Sequence, residues 1–423
     1  MASLQPVRGT HDLLPEDTRR HRHVVESARL LAERYGYLEM VPPIFEFTEV
    51  FRRTLGETSD VVNKEMYTFT DRGGEEVTLR PEFTASIARA FISGGLRQQA
   101  PLKFFSSGPV FRYERPQKGR QRQFHQINAE IIGVASPQAD IETIELAAHI
   151  LEELDIASAC TLELNTLGDS ESRTAYRELL VDYFQAHRTN LSEDSQHRLE
   201  RNPLRILDSK DDNDRRLLVD APRVSDSLTG AAADFFLTVR EGLDALGIVY
   251  TVNERLVRGL DYYTHTAFEF TTEALGAQGT VIGGGRYDGL IETMGGPVTP
   301  GIGFAGGIER LAMLSEKTPS SPRLVAVIPI GAAAQTPALR LTHQLRQAGY
   351  AVDLGYTGNL SKRMTRANKL NARCALLLGE DELVRDVVTL RDFDSGGQQE
   401  VALTSIVAAL APYHPDGADA VKK

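Results

Sequence analysis

The chain has 423 residues, enough for two or three domains, and its 41% hydrophobic content excludes wholesale disorder. Its formal net charge of −11 argues against a uniformly basic nucleic-acid binder, although contact with phosphate needs only one basic face. No apolar run is long enough to span a bilayer, Met1 to Pro6 shows no secretory pattern, and Cys160 and Cys374 stand too far apart for a CxxC metal motif. A cytoplasmic protein without membrane attachment is expected.

A first helix is predicted after Pro15, with Val24, Ala28, Leu31 and Tyr35 on one face and Gly36 as its stop. Tyr37 to Phe47 reads as extended around Pro42-Pro43. A strand pair, Met66–Thr70 and Glu76–Arg80, turns at Asp71-Arg72-Gly73-Gly74, and Thr84–Ile92 reads as helix. Lys103–Glu114 and Arg122–Gly133 are predicted strands joined by a basic loop. Ser136-Pro137 opens another helix. Residues from about 169 to 253 turn polar and helical in pattern, which suggests an insertion. Strand signals resume from Leu256 to Phe270, and Thr280–Leu314 is glycine-rich with a terminal helix. Residues 319–323 have linker composition. Beyond them, Leu324–Ile330, Pro337–Ala348, Tyr350–Leu354, Asn359–Leu370 and Cys374–Leu378 alternate as βαβαβ, which predicts a small α/β domain with a parallel-type sheet over 324–423. The first domain then covers 1–318.

Several motifs carry nothing. Gly301 to Gly306 matches G-x-G-x-x-G, but Pro297 and Pro300 replace the strand that a dinucleotide fold requires. No P-loop is present. His21 and His23 are two apart on a helix, cannot clamp one metal from one face, and read as surface residues. No residue is assigned as a metal ligand.

Three segments do suggest chemistry. In Phe111 to Gln126, Arg112 and Glu114 would share a strand face, as would Gln126, Asn128 and Glu130 on the return strand. Such a polar wall is unusual in a structural strand; the bland alternative is a solvated edge hairpin. Arg258 to Thr264 sets an arginine before Tyr262 and Tyr263, and the alternative there is a packed tyrosine pair. Gly283 to Gly289, followed by Gly301 to Arg310, combines glycines that permit close backbone approach with Glu309-Arg310 on a helix.

Together, these segments resemble the histidyl-tRNA synthetases, members of the class II aminoacyl-tRNA synthetases. The resemblance covers nearly the whole chain, opening with Val7 to Asp12 and Thr78 to Thr84. The arginine-rich hairpin resembles motif 2 of the class, Gly301 to Arg310 resembles motif 3, and Arg258 to Thr264 resembles a signature of the histidine enzymes. Phe83 and Asn128 stand where glycine is common in the family.

The resemblance implies a mostly antiparallel sheet flanked by helices (α/β overall, with an α+β catalytic domain), a helical insertion and a C-terminal anticodon-binding domain. It also implies an enzyme that activates L-histidine with ATP and Mg2+, then loads tRNA(His), working as a homodimer with Val41 to Glu57 at the interface. By that pattern Arg112, Arg258 and Arg310 are catalytic, and Arg112, Glu114 and Arg310 meet ATP. Glu82, Thr84, Arg112, Gln126, Glu130, Arg258, Tyr262, Tyr263 and Tyr287 surround histidine. Arg115, Gln117, Lys118 and Arg120 fall where the acceptor end would lie. Lys362, Arg366, Lys369 and Arg373 recur at helical spacing and would face the tRNA backbone. The competing reading is an inactive paralogue that regulates an ATP phosphoribosyltransferase; such paralogues generally lack the C-terminal domain and parts of the histidine signature.

Overall fold

The computed structural model describes residues 4–56, 61–257, 262–276, 279–317, 319 and 321–414. It divides into two units, Met1–Pro319 and Ser320–Lys423.

In the first unit, Pro15 occupies the first turn of α1 (Pro15–Arg34), where its missing N–H costs nothing. Val24, Ala28 and Leu31 are buried, as the spacing predicts, and Gly36 follows at φ +81°. β1 (Leu38–Glu39) and β2 (Phe45–Phe47) are short because Pro42-Pro43 interrupts the extended segment. Next come α2 (Thr48–Leu55), β3 (Tyr67–Thr70), β4 (Glu76–Leu79) and α3 (Thr84–Ser93), with the three strands forming a small antiparallel sheet in the order β2-β4-β3.

The main sheet is built from β5 (Leu102–Phe111), β6 (Gln123–Ile132), β7 (Thr161–Thr166), β8 (Thr251–Val252), β9 (Thr264–Thr271), β10 (Thr280–Arg286) and β11 (Gly301–Gly307), with β1 at one edge. Its order is β1-β5-β6-β11-β10-β9-β7-β8; the two edge pairs are parallel and the six inner strands antiparallel. α1 and α4 (Pro137–Glu153) cover one face. There Ile127, Ala129, Ile131, Phe268, Ile302 and Phe304 pack with Ala28, Leu31 and Ile144, leaving the other face for the site.

α5 (Ser170–Ala186), α6 (Glu193–Arg201) and α7 (Asp212–Leu217) enclose a separate small core from Tyr176 to Val224. α8 (Gly230–Ala245) instead gives Val239 and Leu243 to the main core. α9 (Leu290–Thr293) and α10 (Ile308–Leu314) complete the unit.

The second unit contains β12 (Val325–Pro329), α11 (Gln335–Gln347), β13 (Val352–Leu354), α12 (Leu360–Lys369), β14 (Cys374–Leu378), β15 (Val387–Asp392) and β16 (Gln398–Ala402). β13, β12 and β14 are parallel, as expected. The sheet as a whole is mixed, because β15 and β16 add an antiparallel edge. The link between those two strands is far shorter than a parallel crossover requires. α12 stops at Lys369, with Asn371 at φ +52° just beyond. Arg373 therefore lies off the helix and stacks toward the ring of Tyr413, 5.5 Å away, rather than extending the basic face. Lys362, Arg366 and Lys369 are exposed, with Arg366 paired to Asp353 at 3.3 Å.

Candidate active site

Alternation along β6 sends Ile127, Ala129 and Ile131 into the core and turns Gln126, Asn128 and Glu130 to the opposite face. A cavity of about 310 Å3 lies over that face. Glu82, Thr84, Arg112, Glu114, Arg120, Gln126, Tyr262, Tyr263, Tyr287 and Arg310 line it, so most residues named from the sequence converge on one space.

One end of the site is built on a buried carboxylate. Glu130 is fully buried and accepts hydrogen bonds from Thr84 Oγ1 (2.6 Å), Asn128 Nδ2 (3.0 Å) and Tyr287 Oη. Burial pushes its pKa up to about 7, against the three donors, which favour the charged form. It meets the cavity through Thr84 and Tyr287, which line it. Space for these groups comes from the facing strand: a Cβ at Gly303 would overlap Glu130 Oε2, and one at Gly301 would overlap the Tyr287 ring. The close approach that these glycines permit is that of the chain's own side chains.

Glu82 is buried beside this group and caps α3, accepting the backbone N–H of Thr84 at 2.6 Å and of Ala85 at 2.8 Å. Burial raises its pKa while those bonds oppose the rise. Gln126 Oε1 is buried with no partner among the described residues, an acceptor left open in the cavity wall. Phe83 is fully buried under the Arg80 guanidinium, 4.0 Å from its ring centroid, and packs with Phe91 and Phe104. The ring thus supports the Glu82 loop from below and leaves the cavity open.

The other end is cationic. Arg112 Nε donates to Pro81 O at 2.9 Å, and Arg310 donates to Gly119 O at 3.0 Å and Thr280 O at 2.6 Å. Arg120 turns inward and pairs with Glu114. Burial first, then the neighbouring Arg120 and Arg112, hold Arg310 below its usual pKa. Guanidinium groups held near one another despite their mutual repulsion are of the chemistry that suits an anion.

Two expectations change. β5 ends at Phe111, so Arg112 and Glu114 do not share a strand face; Tyr113 N–H leaves the ladder for Glu65 O at 2.7 Å. Of the loop residues expected to meet the acceptor end, Arg115, Gln117 and Lys118 are exposed, whereas Arg120 lines the cavity. Arg258 lies outside the described residues.

Sequence reading missed two features. Glu269 lines the cavity and accepts from Thr280 Oγ1 at 2.7 Å; its signal was an acid between the buried Phe268 and Phe270 on a strand. His21, read as a surface residue, is half-buried with its ring edge-on to His125, centroids 5.5 Å apart. That pairing is tertiary and leaves no local signal.

A family model described as histidyl-tRNA synthetase matches residues 9–311. A histidine–tRNA ligase of Rhodospirillum rubrum is 58% identical over 98% of this chain and 100% of its own length. The chain belongs to the histidyl-tRNA synthetase family. A second model, an anticodon-binding domain, matches residues 324–412. The crystal structure of the apo S. aureus histidyl-tRNA synthetase superposes with a TM-score of 0.81 at 34% identity, covering 96% of this chain and 99% of that one. A Bacillus halodurans structure described as an ATP phosphoribosyltransferase regulatory subunit/histidyl-tRNA synthetase, 21% identical with a TM-score of 0.65 over 90% of this chain and 99% of its own, shares the fold. Within the histidyl-tRNA synthetase family the cavity over β6, β9, β10 and β11 is the candidate catalytic centre of this chain.

Proposed function

We propose that the chain activates L-histidine with ATP, releasing pyrophosphate, and passes the histidyl group from the adenylate to the 3′ end of tRNA(His). The observation that carries this reading is the polarity of one cavity. A hydrogen-bonding end with an open acceptor on Gln126 adjoins an end where Arg112, Arg120 and Arg310 gather.

Activation requires an anion to approach a polyanion, so positioning and fixed positive charge do most of the work. Arg112 would hold the attacking carboxylate and the α-phosphate, with Arg310 at the γ-phosphate. Arg258 would add a second charge to the first group, as the family pattern implies. Glu82 and Gln126 suit the α-ammonium as acceptors. Thr84, Tyr263 and Tyr287 would frame the imidazole, with Glu130 fixing the direction of the Thr84 and Tyr287 hydroxyls and Tyr262 closing the wall. An apolar amino acid would leave this polar group unmatched, which disfavours it. Glu114 and Glu269 supply the carboxylate oxygens that suit Mg2+ beside the phosphates. When bound, the ion would neutralise phosphate charge. Arg115, Gln117 and Lys118 suit the tRNA acceptor end, and Lys362, Arg366 and Lys369 suit backbone phosphates.

The same reading includes a cytoplasmic homodimer. Phe45 and Phe47, within the segment expected at the interface, and Phe69 on β3 of the same small sheet are exposed. The regulatory reading is disfavoured because it leaves the arginine end without a role and does not call for an anticodon-binding unit.

Histidine-dependent ATP–pyrophosphate exchange tests the proposal. Wild type should exchange with histidine alone among amino acids, and Arg112→Ala should lose roughly 10²–10³-fold in kcat. Folded wild type that binds histidine yet exchanges no pyrophosphate would leave the regulatory reading standing.

A further inference from the structure

His21 on α1, His125 on β6 and Glu309 on α10 come from three separate elements, and the fold gathers them behind the cavity wall. One potential ligand atom from each lies within 4.8 Å of the others, and all three side chains are half-buried. His125 Nδ1 is 2.8 Å from Glu309 Oε1, and Glu309 Oε2 accepts the His125 backbone N–H at 3.0 Å. We propose that His21, His125 and Glu309 form a binding site for a divalent cation of the zinc class.

The donor set selects the cation. Two imidazoles and one carboxylate suit zinc-class ions, while Mg2+ and Ca2+ prefer oxygen ligands throughout. Zinc bond lengths of about 2.0–2.1 Å place tetrahedral ligands roughly 3.3 Å apart. The His125–Glu309 pair at 2.8 Å is slightly closer than that, and the three ligand atoms together span no more than 4.8 Å, so small side-chain rotations bring the cluster to the spacing of a loaded site. That pair is already held in register by its backbone hydrogen bond, the kind of outer contact that orients metal ligands. A fourth position opens onto an adjoining cavity of about 300 Å3, whose lining includes His11, Asp17 and Lys118. Such an arrangement leaves room for water or an exogenous ligand. The site is separate from the oxygen donors proposed for Mg2+, yet Glu309 also lines the main cavity next to Arg310.

The test uses tag-free, chelator-stripped, full-length protein titrated with Co2+ as a spectroscopic stand-in for Zn2+. The expected result is a visible d–d band that saturates at one equivalent per chain and is abolished by Zn2+. His21→Gln should weaken Co2+ binding at least roughly tenfold. His197→Gln, which changes a histidine elsewhere, should bind as wild type does. Unchanged metal-free melting temperatures establish that both variants fold, and His21→Asn repeats the test if His21→Gln does not. Folded wild type without a saturable band, or a folded His21 variant with wild-type affinity, overturns the proposal.

Discussion

Glu130 carries its charge at a cost that depends on pH. Its folded pKa is raised from 4.5 to about 7 by burial, so the folded state binds its proton more tightly than the unfolded chain does. Folding stability therefore falls as pH rises from about 4.5 to about 7, by up to roughly 3 kcal/mol from this group. Glu130→Gln should remove that part of the slope, so the urea midpoint of wild type should drop more between pH 5 and pH 8 than that of the variant. Asn128 is one of three donors that oppose the shift. In Asn128→Gly the carboxyl pKa should rise further, and the acid limb of the pH profile of kcat/KM for histidine should move up by about one unit. An unmoved limb would separate Asn128 from the function of Glu130. The residues on β6 were legible because strand alternation assigns faces without tertiary knowledge. The pairing of His21 with His125 was not legible, because it depends on elements brought together only by folding.

The end of α12 decides which cations belong to the stripe proposed to meet tRNA. Charge spacing groups Lys362, Arg366, Lys369 and Arg373, yet the helix ends before the last of them, where Ala372 N–H turns back to Ala367 O at 2.9 Å. The stripe is thus three residues long, and Arg366 is partly engaged by Asp353. Replacing Lys362 and Lys369 together by Ala should raise the KM for tRNA and flatten its salt dependence by about one unit of slope per lost phosphate contact. Pyrophosphate exchange without tRNA should stay unchanged. The basic hairpin loop was likewise legible as a loop. Its division into an outward set and the inward Arg120 was hidden, because the tight Gln117–Arg120 turn folds that side chain back on Glu114.

At the scale of the whole molecule, each unit owns its core. Val325, Val327, Leu376 and Leu390 pack with helix residues of the second unit. A fragment spanning 320–423 should therefore fold alone, with a single cooperative transition in calorimetry. The change of pattern after the linker made this division readable, whereas the added antiparallel strands of that unit carried too weak a periodicity to stand out. For the intact chain, light scattering at micromolar concentration should give a dimer. Phe45→Asp combined with Phe47→Asp should give a folded monomer, since each places a charge on an apolar face.

β11 sends Ile302 and Phe304 into the core and turns Gly301 and Gly303, without side chains, against Tyr287 and Glu130. Glycine is a poor strand former, so stability alone would favour replacing it, yet any Cβ at Gly301 or Gly303 collides with the side chains beneath the cavity. In a saturation mutagenesis screen these positions should accept no other amino acid, unlike an ordinary core strand, where volume-conserving exchanges survive. An inhibitor seated on this floor would then face a surface from which resistance has almost no single-residue route to emerge.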